Sequence, residues 1–301
     1  MHSSLFQDIV PESCMRSQAP MREYTTMRVG GPADLLIAPQ TEEQCVAILQ
    51  RANENGIPVY VMGNGSNLLF ADSGYRGVVL QIGKTFARIS VEQNKLTAQA
   101  GALLSTLSRT AAEHSLAGLE FASGIPGSVG GAVCMNAGAY GGEIAQVIDE
   151  ARVYVQGRLE TWDRDRLSLS YRHSAVMEEG ALVLSARFTL TPGDKNAIEA
   201  NMQELNARRR EKQPLQYPSC GSFFKRPEGH FAGALIEQAG LKGYAVGDAQ
   251  VSELHAGFLI NRGHATAGQF YTLMKHVQTT VLDRFGVQLE PEVRLIGDFE
   301  A

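Results

Sequence analysis

The sequence contains no apolar run near the roughly 20 residues that a membrane-crossing helix needs. Its first residues, MHSSLFQDIVPES, lack the basic and apolar regions of a secretory leader. A soluble, cytoplasmic protein is therefore expected. Cysteine is scarce: Cys14, Cys45, Cys134 and Cys220 are the only four in 301 residues. None forms a CxxC pair, and none stands beside a histidine at metal-ligand spacing. They read as free thiols of a reducing compartment, and no metal site is expected. Positive charge is not in excess, with a net charge of -5, so nucleic acid is excluded as a bulk electrostatic partner. Neither GxGxxG nor GxxxxGK[ST] occurs in the glycine loops, which excludes the standard Rossmann and P-loop signatures. No internal repeat or low-complexity tract is present.

What is present is glycine, concentrated in one stretch. Ser123–Ile144 reads SGIPGSVGGAVCMNAGAYGGEI and holds seven glycines, with no charge before Glu143. Glycine lets backbone approach a bound group and adopt positive φ. Uncovered backbone amides in such a loop form a concavity for anions, phosphate above all. A second loop, Gly63-Asn64-Gly65-Ser66-Asn67, follows the apolar run Ile57–Met62. Strand followed by glycine turn is the context that phosphate binding requires. Both loops read as the floor of a nucleotide or dinucleotide site; close packing of small residues is the competing reading of each.

The apolar and charged fractions, 44% and 20%, are those of a globular protein long enough for two or three domains. The pattern predicts a strand at 34–38 and a helix from Thr41, with Gln44 completing a capping box and Gly56 as the stop. The strand Ile57–Met62 would close a βαβ unit. Further strands are predicted at 77–82, 150–155 and 181–190, the last with period-two alternation, and a helix in the middle of 99–117. Thr191-Pro192-Gly193-Asp194 is a strong break and a domain boundary. Beyond it the pattern predicts helices at 197–212, 231–239 and 266–285, a strand at 254–261, and a last strand at 287–296 carrying Glu290 and Glu292. Gly221–Arg226 reads as a turn followed by a short strand. Residues 1–27 read as an N-terminal segment whose first stretch, MHSSLFQDIVPES, is a frayed or weakly docked terminus.

Seven stretches, in this order, resemble one family: TTMRVGGPAD, VMGNGSNLLF, FASGIPGSVGGAVCMNAGAYGGE, SYRHS, KQPLQYPSCGSFFKRP, HAGFLIN and LEPEVRLIG. Together they span nearly the whole chain and are similar to the UDP-N-acetylenolpyruvoylglucosamine reductases. The resemblance implies an α/β (α+β) fold. An FAD-binding module of the vanillyl-alcohol-oxidase type would cover 28–192, in two subdomains of about 28–80 and 81–192. A C-terminal α/β substrate-binding domain would cover 195–301. The short segment between Arg158 and Ala181 leaves no room for the tyrosine-bearing substrate lid of some members, which implies the compact subtype.

The resemblance also implies chemistry. Gly63, Asn64, Gly65, Ser66 and Asn67, with Ser123, Gly124, Gly127, Ser128, Gly130 and Gly131, would hold the pyrophosphate of FAD. Neither 28–36 nor 63–70 contains a histidine or cysteine, so the FAD is expected to be non-covalent. NADPH would be the co-substrate, and the product UDP-N-acetylmuramate, a peptidoglycan precursor. Ser222 would donate the proton, Arg172 would face the substrate carboxylate, and Glu292 would be the third catalytic residue. Tyr171, Lys212, Lys225 and Arg226 would serve the UDP diphosphate and carboxylate, and His255 would be structural. Read without the resemblance, Ser222 is a turn serine, Arg172 a surface salt-bridge residue and Glu292 an exposed strand residue. Two other functions fit parts of the pattern. One is oxidation of another alcohol on the same FAD module, and the other is a non-catalytic sensor of nucleotide sugars. Oligomeric state is left open, with a monomer compatible.

Overall fold

The computed structural model describes residues 3–299 and divides the chain into two compact units. The first runs up to Arg16 and takes in 35–64 and 78–209; the second comprises 17–34, 65–77 and the residues from Arg210 on. These limits differ from the expected domains. Thr191–Pro192 pairs with Leu116–Ala117, a helix starts directly at Lys195, and the first unit continues to Arg209.

In the first unit the helix Glu42–Glu54 begins where its cap places it. Thr41 accepts a bond from the Gln44 amide at 3.2 Å. The return bond of the expected box is displaced by one residue, because Gln44 Oε1 accepts from Gln40 N at 2.8 Å. Gly56 follows with φ +62°, the left-handed stop that glycine makes at little strain. The strand Val59–Met62 does not lie beside Pro32–Ile37 as a simple βαβ unit requires. Tyr75–Gln81 stands between them, parallel to Val59–Met62 with Val59 opposite Val78. Its Val78, Val79 and Leu80 are fully buried, the pattern of a central strand covered on both faces.

An antiparallel sheet follows, ordered Arg158–Asp163, Ile148–Val155, Leu182–Thr189, Lys95–Gln99, Ile89–Glu92. Burial alternates from Leu184 to Thr189, while Leu182 and Val183 are both buried; the outer strands carry weaker apolar patterns and were not evident in the sequence. The helix Leu104–Glu113 occupies the middle of its expected range. One apolar core includes Phe6, Ile48, Leu80, Leu107 and Phe188. Phe6 is fully buried, and Arg51 pairs with Asp8 at 2.9 Å. The terminal segment is thus docked rather than weakly attached, because it contributes a large apolar side chain to that core; Met1 and His2 lie outside the described residues.

The second unit has its own core, with Met27, Leu69, Phe223, Leu259, Phe270 and Val277. Its antiparallel sheet runs Ser219–Ser222, Phe258–Asn261, Ala249–Val251, Ala245–Val246. The helix Ala267–Phe285 starts at a Thr266–Gln269 capping box and stops at Gly286 with φ 68°. Three expected strands change. The one placed after Gly221 instead spans it, as Ser219–Ser222. The 254–261 strand shortens to Phe258–Asn261, because Ser252 Oγ accepts from the Leu254 and His255 amides and holds a turn. The 287–296 strand shrinks to Arg294–Ile296, parallel to Leu68–Phe70, so Glu290 and Glu292 do not share a strand face. Pro291 lacks the amide that would continue a ladder. Among the described residues no helix is long and apolar enough to cross a membrane, and no group of three His, Cys, Asp or Glu is placed to hold a metal ion.

Candidate functional site

In the first unit the two glycine stretches meet. Asn64 Nδ2 donates to Pro126 O at 2.6 Å, and Gly63 lies against Ser128. A Cβ built on Gly63 would collide with Ser128 Oγ, so any larger residue there would force that hydroxyl to move. That hydroxyl is buried and has no hydrogen-bond partner among the described residues. A buried hydroxyl without a partner is costly unless a ligand or water supplies one. The stretch is not all loop: Val129–Met135 is a short helix. It is anchored by Val129 N to Ala102 O and Gly130 N to Ala100 O, both at 2.8 Å. A Cβ on Gly130 would come within 2.9 Å of Ala100 Cβ, so Gly130 serves packing. The Ser123 and Ile125 amides are engaged by Glu120 O and Ala122 O. Those of Gly124, Gly127, Ser128 and Gly131 bond no acceptor among the described residues. Donors of this kind, beside an orphaned hydroxyl and a glycine packed against it, fit a phosphate group.

The SYRHS segment is a tight turn in the same unit. Ser170 bridges His173, and Arg172 has φ 55°, rare for a residue with a side chain. Its Nη2 donates to Gly138 O at 3.3 Å. Asn136, fully buried and itself left-handed, donates to Ser170 O at 3.0 Å and accepts from Ala145 N at 2.9 Å. Ser174 Oγ donates to Cys134 O at 2.6 Å. The end of the glycine stretch therefore fixes the turn that presents Arg172. Sequence reading missed Asn136; an asparagine within a glycine-rich stretch was the available signal. Tyr171 is exposed beside the Arg172 guanidinium, 5.1 Å from its ring centre.

In the second unit Ser222 ends a strand whose register against Phe258–Asn261 shifts between Ser219 and Ser222. Gly221 takes φ +80° within that bulge, and a bulge re-aims the side chain beside it. Ser222 is exposed. The next residue, Phe223, accepts from Glu292 N at 2.9 Å, and Lys225 N donates to Glu290 O at 2.9 Å. Glu292 is thereby placed alongside the backbone of the Ser222 segment. Asn67 Nδ2 holds the Glu292 carbonyl at 2.9 Å. The Cys220 thiol is pushed up to about 12, first by burial and then by the Glu292 charge.

Of the remaining expected residues, Lys225, Arg226 and His255 have local partners. Lys225 pairs with Glu290 at 3.1 Å, and the Arg226 guanidinium covers Phe231 at 3.9 Å. Lys212 ends the helix Lys195–Lys212 and is exposed. His255 Nδ1 accepts from Gly257 N at 3.1 Å, its ring meets Phe258 edge-on, and burial lowers its pKa. Asn261, 2% exposed, donates to Met27 O and accepts from Gly263 N and Ala265 N. Both are built into the fold.

Residues 213–296 match the family model for the UDP-N-acetylenolpyruvoylglucosamine reductase C-terminal domain, and 33–157 match that of an FAD binding domain. A UDP-N-acetylenolpyruvoylglucosamine reductase from Agathobacter rectalis is 54% identical over 303 residues, covering 96% of each chain. The chain belongs to the UDP-N-acetylenolpyruvoylglucosamine reductase family. A reductase of the same name from Latilactobacillus sakei is 51% identical over 284 residues, covering 94% of this chain and 93% of that one. The crystal structure of the Thermus caldophilus enzyme superposes with a TM-score of 0.81 at 36% identity, covering 94% of this chain and 98% of that chain. The chain is thus an FAD-dependent oxidoreductase of this family, with the FAD-binding α/β fold expected from its sequence. The phosphate-shaped features around Gly63 and Ser128 fall inside, or next to residues of, the matched FAD region.

Proposed function

We propose that the enzyme reduces the enolpyruvyl ether of UDP-N-acetyl-3-O-(1-carboxyvinyl)-glucosamine to the lactyl ether of UDP-N-acetylmuramate, with NADPH as reductant. The observation that carries this reading is the bond from Glu292 N to Phe223 O, which holds the Glu292 backbone against the residue that follows Ser222. The FAD, held non-covalently and reduced by NADPH, supplies a hydride to the vinyl terminus when bound. The protein must then stabilise negative charge that spreads into the carboxylate, and must deliver one proton to the adjacent carbon.

Ser222 is the proton donor in this reading. Its hydroxyl is a weak acid, but an enolate is a strong enough base to take its proton when held against it. Glu292 orients the serine or the substrate, and solvent restores the serine's proton. Arg172 faces the carboxylate; a donor aimed at developing charge contributes about 3–4 kcal/mol to the barrier. Its left-handed backbone is consistent with strain kept for function. Lys212, Lys225, Arg226 and Tyr171 serve the diphosphate and carboxylate. Lys225 would then exchange its exposed Glu290 partner for the ligand, and a surface pair of that kind is weak. The amides of Gly124, Gly127, Ser128 and Gly131, with Ser128 Oγ, hold the cofactor's phosphates. NADPH and UDP-sugars are cytoplasmic metabolites, and this is where the enzyme acts.

The test is an absorption spectrum of the purified protein under anaerobic conditions, with NADPH added first and the enolpyruvyl substrate second. The reading predicts a yellow protein that bleaches with NADPH and regains colour with substrate. Flavin that bleaches but is not recoloured by this substrate would count against the assigned reaction while leaving the cofactor in place.

A further inference from the structure

The turn Thr25–Val29 in the second unit is fixed at both ends and displays one cation that has no partner among the described residues. Arg28 N donates to Thr25 O at 3.1 Å, and buried Thr25 Oγ1 donates to Val29 O at 3.0 Å. Met27 and Val29, on either side of Arg28, are buried, and Met27 O accepts from the buried Asn261 amide at 3.1 Å. Thr26 joins two further segments. Its N donates to Gly65 O at 3.2 Å, and its Oγ1 donates to Ser219 O at 2.7 Å. The turn is therefore bonded to the second glycine loop and to the strand that ends in Ser222.

Arg28 holds φ 55°, a left-handed conformation that glycine or asparagine adopts with less strain. Its side chain is exposed, and its guanidinium makes no hydrogen bond or ion pair with any described residue. An anchored, strained turn that presents a solvated guanidinium beside a glycine loop has the parts of a phosphate contact. The planar fork matches two phosphate oxygens at once. Its rigid base lowers the ordering cost of binding.

We propose that Arg28 is an anion-binding residue for the diphosphate of a nucleotide ligand of this enzyme. The proposal rests on the reading of the chain as a flavin- and nucleotide-binding reductase. Three diphosphates share the required chemistry: those of FAD, NADPH and UDP.

The test compares Arg28→Gly and Arg28→Lys in the full chain. FAD affinity is measured by fluorescence titration of deflavinated enzyme. NADPH affinity comes from the concentration dependence of anaerobic flavin reduction, and UDP affinity from spectral titration of the holoenzyme. Arg28→Gly should keep or raise the thermal midpoint, since the backbone is relieved. It should weaken one of the three probes on the order of 10-fold, the size of a lost charge-assisted bond. The affected probe names the ligand. Arg28→Lys should recover part of that loss, and the loss should shrink as salt is raised. Affinities all within about twofold of the parent, in a folded variant, would overturn the proposal. Failure of both Arg28→Gly and Arg28→Asn to fold would make the side chain structural and overturn it as well. Parent enzyme that bound none of the three probes would instead defeat the reading on which the proposal rests.

Discussion

Asn67 Nδ2 donates to the backbone carbonyl of Glu292 at 2.9 Å, and Asn67 O accepts from Arg294 N at 3.0 Å. One residue of the second glycine loop therefore grips the segment that carries the proposed catalytic carboxyl, at a separation of 225 residues in sequence. Asn67→Ala removes the side-chain bond and should cost about 1 kcal/mol of stability. Its larger effect should fall on reoxidation of the flavin by substrate rather than on its reduction by NADPH. Single-turnover kinetics of the two half-reactions would check this; equal losses in both would assign Asn67 to flavin binding alone.

Gly63 predicts a cofactor phenotype. Gly63→Ala places a methyl group against Ser128 Oγ, which is buried. The variant should fold but retain less FAD on purification, seen as a lower ratio of flavin to protein absorbance. The double variant Gly63→Ala/Ser128→Gly frees the space and should recover part of the flavin, though not the bond the hydroxyl makes. Full flavin content in Gly63→Ala would remove this position from the cofactor's surroundings.

Asp72 predicts a stability effect with little change in activity. Its two carboxylate oxygens accept from Ala267 N at 2.9 Å and Gly268 N at 2.8 Å, at the start of the helix Ala267–Phe285. A carboxylate on a helix's first amides satisfies orphan donors and complements the dipole. Asp72→Ala should lose about 1–2 kcal/mol by urea denaturation, with turnover per folded molecule close to the parent's.

Burial raises the Cys45 and Cys220 thiols to about 12, from an ordinary 9.0. Between these values the unfolded chain has released protons that the folded chain still holds. Stability contributed by the neutral thiols is therefore complete below about pH 9 and is lost as pH rises toward about 12. Each thiol contributes a slope of about 1.4 kcal/mol per pH unit within that window. Denaturation of the parent and of Cys45→Ala/Cys220→Ala at pH 8 and pH 10 should show a smaller alkaline loss in the variant. A parallel loss in both would contradict it.

What was legible in the sequence was local. Thr41 and Gly56 bracket a helix by short-range bonds, and Gly286 ends another in the conformation that glycine favours. The glycine loops were legible as close packing, because Gly63 lies directly against the Ser128 side chain. The misplaced strands depended on distant partners. Tyr75–Gln81 takes the centre of its sheet through pairing with Val59–Met62, which no local pattern encodes. The segment before Arg294 alternates like a strand, yet the Glu292 and Val293 amides both turn to Phe223 O. Candidate residues were legible through resemblance rather than chemistry: Ser222 alone is one serine after a glycine. The supports of the site, Asn136 and the Asn67–Glu292 bond, were not legible, because a buried asparagine's partners are set by tertiary packing.

The account depends most on Ser222 acting on the substrate and not on the flavin. Stopped-flow absorbance of Ser222→Ala, measured anaerobically, separates the two. NADPH should bleach the flavin at close to the parent rate, and the enolpyruvyl substrate should then fail to restore the colour, with reoxidation at least about 100-fold slower. Reoxidation at the parent rate, or bleaching that slows as much as reoxidation, would contradict it.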